Sequence, residues 1–179
     1  TLRTHQNKAV KSVSKKDFGV IVAPPGSGKT IIGLKIISEK KQPVLIVVHR
    51  IQLLGQWQER VQAFLGIPKH EIGIIEKGKT KIGKQITIAT IQSLPKQIEQ
   101  IQNQFGTILL DECHHIPAET FRSTIEKLNT FYLYGLTATP FRKYNDGKLI
   151  FAFLGEIISE VESTEIENFK HAQIIVRNT

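Results

Sequence analysis

The sequence holds one cysteine, Cys113, one tryptophan, Trp57, and no methionine. A lone cysteine excludes an internal disulfide and suits a reducing compartment, so a cytoplasmic location, or a nucleoid or nuclear one, is the expectation. No second Cys or His pair stands at zinc spacing, and the adjacent donors Cys113, His114 and His115 cannot readily converge on one tetrahedral ion; structural zinc is not expected. Long apolar runs are missing as well. The longest aliphatic one, "VLIVV" at 44–48, is far short of the roughly 20 residues a membrane span needs. No secretory signal is visible and no membrane partner is expected. The lack of any methionine, an initiator included, is what a piece of a longer chain would show. Acid is scarce in the first part: residues 1–104 carry 17 Lys and Arg against 6 Asp and Glu, while residues 105–179 carry 7 against 10. That imbalance fits either a solvated basic surface or a polyanionic partner.

What is present is globular. With 179 residues and 40% hydrophobic content the chain can bury one substantial core, and one domain over 1–179 is expected. Apolar runs read as buried strands: "FGVIVA" (18–23), "PVLIVV" (43–48), "EIGIIE" (71–76), "QITIAT" (85–90), "FGTILLD" (105–111) and "FYLYGLT" (131–137). Between them lie helical patterns. In "RIQLLGQWQERVQAFLGI", Leu53, Leu54, Trp57, Val61, Phe64 and Leu65 form one face and Gly66 is a stop signal. In "PAETFRSTIEKL", Phe121, Ile125 and Leu128 follow Pro117 at helical spacing. This alternation predicts an α/β layered, mainly parallel sheet. The basic "EKGKTKIGK" (76–84) reads as a surface turn, and the acidic "GEIISEVESTEIENFK" (155–170) as peripheral.

Two stretches carry chemistry. "APPGSGKT" (23–30) follows a predicted strand and opens a predicted helix, the context of a phosphate-binding loop. Pro25, Gly26, Ser27 and Gly28 would wrap the phosphates, the last three offering backbone N–H groups, Lys29 would reach the outer phosphates, and the Thr30 hydroxyl would join a Mg²⁺ shell. "ILLDECHH" supplies the second half: Asp111 ends an apolar strand where it could hold Mg²⁺, and Glu112 could deprotonate an attacking water. A guanine-reading Asn-Lys-x-Asp is missing, since "NDGK" (145–148) lacks that order, so ATP hydrolysis is favoured. Trp57 is assigned to the core rather than to base stacking, and Cys113 to a packed thiol. For His115 a structural and a functional role stay open.

With these residues in place, the sequence resembles the first motor domain of superfamily 2 helicases and translocases. Six stretches stand in the family's order: "LRTHQ" (2–6), "APPGSGKT", "VVHRIQLLGQW" (47–57), "ITIATIQSL" (86–94), "DECHH" and "GLTATP" (135–140). "DECHHIPAETF" and "YGLTATPFR" look most like restriction-enzyme motor subunits and repair helicases of the xeroderma pigmentosum group B type. The resemblance implies a RecA-like P-loop NTPase fold with helices on both faces of the sheet, and ATP and Mg²⁺ as ligands. By position, Gln6 would read adenine, with a helix-start glutamine as the alternative. Arg50, Thr90 and Gln92 would contact a nucleic-acid backbone, and His114, Thr137 and Thr139 would couple the nucleotide to it. The expected partners are DNA, with RNA not excluded, and a second RecA-like domain that this sequence lacks; the piece by itself is expected to be monomeric. An ATP-gated binding module, or a small-molecule hydrolase or kinase, are the rival readings. One strand-order expectation also follows: "FYLYGL" should lie between "GVIVA" and "TILLD".

Overall fold

The computed structural model describes residues 2–139 and 152–166. Its elements run α1 (Thr4–Val13), β1 (Phe18–Val22), α2 (Lys29–Lys40), β2 (Val44–Val48), α3 (Ile51–Leu65), β3 (Gly73–Glu76), β4 (Lys79–Lys81) and β5 (Ile86–Thr90). They continue with α4 (Ile98–Ile101), β6 (Thr107–Asp111), α5 (Ala118–Thr124), β7 (Tyr132–Thr137) and β8 (Ile157–Glu160). Short 3₁₀ turns fill several connections, among them Ile91–Gln97, where Pro95 interrupts any longer helix.

The strands form one sheet in the order β4-β3-β5-β2-β6-β7-β1-β8. Every pairing is parallel except the β3–β4 hairpin. Strands β2, β5 and β6 are buried along their whole length, as continuous Val/Ile/Leu runs require when helices cover both faces. Two apolar layers result. One packs Val10 of α1, Ile32 and Ile36 of α2, and Leu54, Trp57 and Val61 of α3 onto Ile21, Ile46, Leu109 and Leu136. The other packs Ile101, Phe121 and Ile125 onto Val20, Val47, Ile108 and Leu110. Emptying one such site, Leu or Ile to Ala, would cost about 2–5 kcal/mol.

The strand-order expectation holds: β7 pairs with β1 on one side and with β6 on the other. The six strands read from the sequence are all present. Two were missed, and both are edges. The "KTK" segment read as a surface turn is β4, fully exposed, and the acidic stretch contains β8, which adds to β1. Neither carries a buried apolar run, so periodicity had nothing to detect; lysines on an outer strand also discourage further pairing. In α3, Leu54, Trp57 and Val61 are buried as read, but Phe64 is 55% exposed, because the helix turns its last residues past the sheet. Gly66 does adopt the left-handed stop, with φ +70°.

Candidate nucleotide site and the facing sheet edge

In a parallel sheet all strands deliver their C-terminal ends to one edge, and ligands gather there. Here β1 leads into the glycine loop, β6 into Asp111 and Glu112, β7 into Thr137, β2 into Arg50 and β5 into Gln92. The loop turns because Gly26 and Gly28 both sit at φ +82°, a conformation that glycine adopts without steric cost. Gly28 then caps α2, leaving the helix's first N–H groups without a side-chain acceptor, a favourable setting for phosphate. The loop's outer wall is pinned by α1. His5 Nε2 lies 2.9 Å from the Ser27 carbonyl, and the Gln6 amide donates to the same oxygen at 3.0 Å. Gln6 Oε1 in turn accepts from the Arg3 N–H, so both ends of this buried amide are engaged with backbone. The Ser27 hydroxyl is buried and has no protein partner.

Asp111 and Glu112 are held in different ways. Asp111 is buried; its Oδ2 accepts from the Trp57 indole N–H at 2.8 Å and its Oδ1 from the Glu112 N–H at 3.0 Å. Burial pushes its carboxyl above the ordinary value, opposed by the Trp57 hydrogen bond. Glu112 has the left-handed backbone, φ +48°, which turns its side chain onto Lys29. Such a conformation costs on the order of 1–3 kcal/mol for a non-glycine residue and persists where contacts fix it. Burial pushes the Glu112 carboxyl up too, but the hydrogen bond and charge of Lys29, aided by His114, outweigh it and hold it below the usual range. The adjoining Cys113 thiol, buried beneath these carboxylates, is pushed up to about 12, in line with a packed thiol.

Behind Glu112 the contacts run on. Thr137 Oγ1 donates to the Thr139 carbonyl at 2.8 Å and lies 2.7 Å from His114 Nδ1. With the single hydroxyl hydrogen on Thr139, Nδ1–H donates to Thr137; Glu112 Oε2 lies 3.3 Å from the same nitrogen, buried and without a hydrogen bond of its own. The His114 ring packs on His115 at 4.0 Å, and His115 on His49 at 4.4 Å. The His49 carbonyl accepts from the Gln92 amide at 3.1 Å. Register explains that meeting, since Val48 and Thr90 are paired and both chains leave the sheet side by side. Arg50, exposed, begins α3 with no side-chain cap on the helix. Thr90 is buried and its hydroxyl is turned onto Ser93 at 2.7 Å, so of the three backbone-contact candidates only Arg50 and Gln92 are exposed.

The structure thus gathers Lys29, Thr30, Asp111, Glu112, His114 and Thr137 on one edge. A cleft of 150 Å³ separates Thr30 from Asp111, walled by Gln56, Trp57, Glu59 and Arg60. A wider one, 820 Å³, lies between α1 and β8, lined by Lys8, Lys11, Lys15 and Lys16 and remote from these acids. Pro140, the last residue of "GLTATP", and the "NDGK" stretch lie outside the described residues. Among the described residues no group of three His, Cys, Asp or Glu side chains could enclose a metal. None of their helices is long and apolar enough to cross a membrane. Sequence reasoning missed the Trp57–Asp111 bond, the Lys29–Glu112 ion pair and the place of His49; the first two link residues 54 and 83 positions apart, which no local pattern signals.

Residues 1–142 match the family described as "Type III restriction enzyme, res subunit". A DNA 3'-5' translocase XPB2 of Sulfurisphaera tokodaii is 41% identical over 147 residues, covering 82% of this chain and 32% of the relative. A DNA 3'-5' helicase XPB of Mycobacterium tuberculosis is 31% identical over 162 residues, covering 86% of this chain and 29% of the relative. The chain therefore spans about a third of the length of these relatives. Among solved structures, the UvsW helicase of bacteriophage T4 superposes with a TM-score of 0.75 at 22% identity, covering 88% of this chain and 60% of that one. The Sulfolobus solfataricus SWI2/SNF2 ATPase core in complex with dsDNA gives 0.70 at 21% identity, covering 86% and 36%. Sequence and fold agree: the chain belongs to the type III restriction enzyme res-subunit family, as a first RecA-like domain of the superfamily 2 helicases.

Proposed function

We propose that the chain is the ATP-binding half of a DNA-dependent motor, coupling ATP hydrolysis to movement of a helicase or translocase on DNA. The observation that carries this reading is the single sheet edge holding both a phosphate loop facing two carboxylates and, a few strands away, the paired exits of β2 and β5 with Arg50 and Gln92. The S. tokodaii and M. tuberculosis relatives, described as a DNA 3'-5' translocase and a DNA 3'-5' helicase, favour DNA as the track.

In this reading Gly26, Ser27 and Gly28 bind the phosphates through backbone N–H groups and Lys29 neutralises them. Mg²⁺ fits the site: Asp111 and Thr30 offer hard oxygen donors across a small cleft, and a cation held by one or two protein ligands needs no enclosing cluster. When bound, the ion would polarise the phosphoryl oxygens. Glu112 takes the proton of the attacking water, and its pairing with Lys29 opens when phosphate arrives to compete for the ammonium. Gln6 braces the loop against α1, and to read an adenine edge it would have to exchange one of its two backbone hydrogen bonds for the base. Arg50 supplies a phosphate contact, and the uncapped start of α3 beside it favours the same charge. A second RecA-like domain would complete the site; arginine fingers in related enzymes contribute about 10³ to 10⁵ in rate, so turnover by this chain alone is slow.

The test is ATP turnover by the chain with Mg²⁺, with and without DNA. Slow hydrolysis that rises on adding DNA and disappears in Lys29→Ala supports the motor. Hydrolysis indifferent to DNA and RNA, and no binding of either by the chain, would leave a small-molecule phosphate-loop enzyme as the reading.

A further inference from the structure

We infer that Trp57 is a positioning residue for the Mg²⁺ carboxylate, and that its indole is a built-in reporter of metal occupancy. The inference rests on the reading of Asp111 as the Mg²⁺ ligand and adds to it a residue of the neighbouring helix. A tryptophan buried at the seam of α2, α3 and the sheet must give its single N–H to some acceptor, and this one gives it to a carboxylate, Asp111 Oδ2, at 2.8 Å. Trp57 is 2% exposed and Asp111 9%, so the bond is shielded from water, where hydrogen bonds to charged groups are worth most.

The surroundings are shaped for that ring. Gly33 of α2 faces it, and a Cβ there would stand 3.2 Å from Trp57 Cη2 and 2.9 Å from Leu109 Cδ2. The glycine therefore lets α2 and the indole share the space above β6. With the Glu112 N–H on Oδ1 and the indole on Oδ2, the Asp111 carboxylate has one donor on each oxygen and a fixed rotamer. Its remaining acceptor capacity is available to the cleft shared with Thr30. Ligating carboxylates are commonly oriented by such partners, whose loss lowers metal affinity by about 10–100-fold.

Because Trp57 is the chain's only tryptophan, tryptophan emission comes from a single indole, the one bonded to this carboxylate. Two measurements on the 179-residue chain decide the matter. First, tryptophan emission is followed on adding ADP with Mg²⁺ or with paramagnetic Mn²⁺. Stronger quenching by Mn²⁺, abolished in Asp111→Asn, is the expected result; identical responses to the two metals overturn the inference. Second, Trp57→Phe keeps an aromatic body and removes the donor. Circular dichroism should be retained, nucleotide affinity without metal should be unchanged, and the Mg²⁺ concentration for half-maximal enhancement of nucleotide binding should rise roughly tenfold. A rise of less than about twofold, or an equal loss of metal-free nucleotide affinity, would reduce Trp57 to packing. If Trp57→Phe fails to fold, the wild-type metal comparison still decides. A Mg²⁺ response that survives unchanged in Asp111→Asn removes the ligand reading itself, an outcome separate from a null result in Trp57→Phe alone.

Discussion

Replacing Glu112 by Gln should do two opposite things to this chain: tighten nucleotide binding and stop hydrolysis. In the structure Lys29 is committed to Glu112, with side chains 14% and 24% exposed. On the proposed function, nucleotide would therefore have to break an ion pair before the ammonium could serve the phosphates. A fully exposed pair contributes about 0–1 kcal/mol and breaking a fully buried one costs about 3–5 kcal/mol. Partial exposure puts this pair near the lower range, about 1 kcal/mol. Glutamine keeps the shape and a hydrogen-bonding oxygen but drops the charge, so most of that cost is lifted, and repulsion between Glu112 and phosphate goes with it. About 1 kcal/mol corresponds to roughly fivefold in Kd. Loss of the general base should cut turnover by about 10² to 10⁴. The assay is titration with a fluorescent ATP analogue alongside phosphate release, with Lys29→Ala as the contrasting variant that weakens binding outright. Weaker nucleotide binding in Glu112→Gln than in wild type would refute the competition argument. Unaltered turnover would refute the general-base assignment.

Arg50→Ala should weaken DNA binding alike for all sequences and make the slope of log K against log salt shallower by about one unit, as loss of one phosphate contact requires; fluorescence anisotropy at several salt concentrations measures both. Asp111→Asn should lift the penalty of a buried charge from the nucleotide-free chain at neutral pH, a gain reduced because the amide oxygen can accept from Trp57 while the amide N–H₂ then faces the Glu112 N–H from which Oδ1 now accepts. The sign follows from linkage: a carboxyl raised in the folded state binds more protons there than when unfolded, so the penalty of its charge grows as pH rises and fades as pH falls. The melting advantage of Asp111→Asn, about 2–4 °C for each kcal/mol in a chain of this size, should therefore shrink on acidification toward pH 4; an advantage that widens instead would contradict the burial argument.

The parts of the fold legible in the sequence are those that obey a local rule. Continuous apolar strands, a glycine stop at Gly66 and a glycine loop before a helix each leave a short signature, and each stands where it was read. The edges β4 and β8 leave none, since β4 is exposed throughout and β8 offers only two half-buried isoleucines, too short a run to show a period. Site residues divide the same way. Lys29 and Asp111 could be named from their motifs, but that Trp57 spends its N–H on Asp111 depends on the indole of α3 reaching past Gly33 of α2 to the end of β6. Thr90 shows the converse, a residue in the right motif whose hydroxyl is turned inward onto Ser93. A motif fixes which residues stand at an edge; packing decides what each of them faces.

On the proposed function, the two sides of that edge must influence each other, and the contacts between them are continuous. From Glu112 they pass to His114, across the tilted, packed rings to His115 and His49, and through the His49 carbonyl to Gln92. Continuity alone transmits nothing, because coupling requires an element with two arrangements whose balance both sites bias. On that reading the Lys29–Glu112 pair would have that character: closed in this structure, it would open if a phosphate took the ammonium, leaving Glu112 to His114. A stronger hold of Glu112 on His114 would act on the packed rings and on Thr137 together, since Glu112 Oε2 and Thr137 Oγ1 both lie near His114 Nδ1, at 3.3 and 2.7 Å. The nucleotide's charge would thus reach the Arg50 side as a rearrangement of hydrogen bonds, with the sheet itself unmoved.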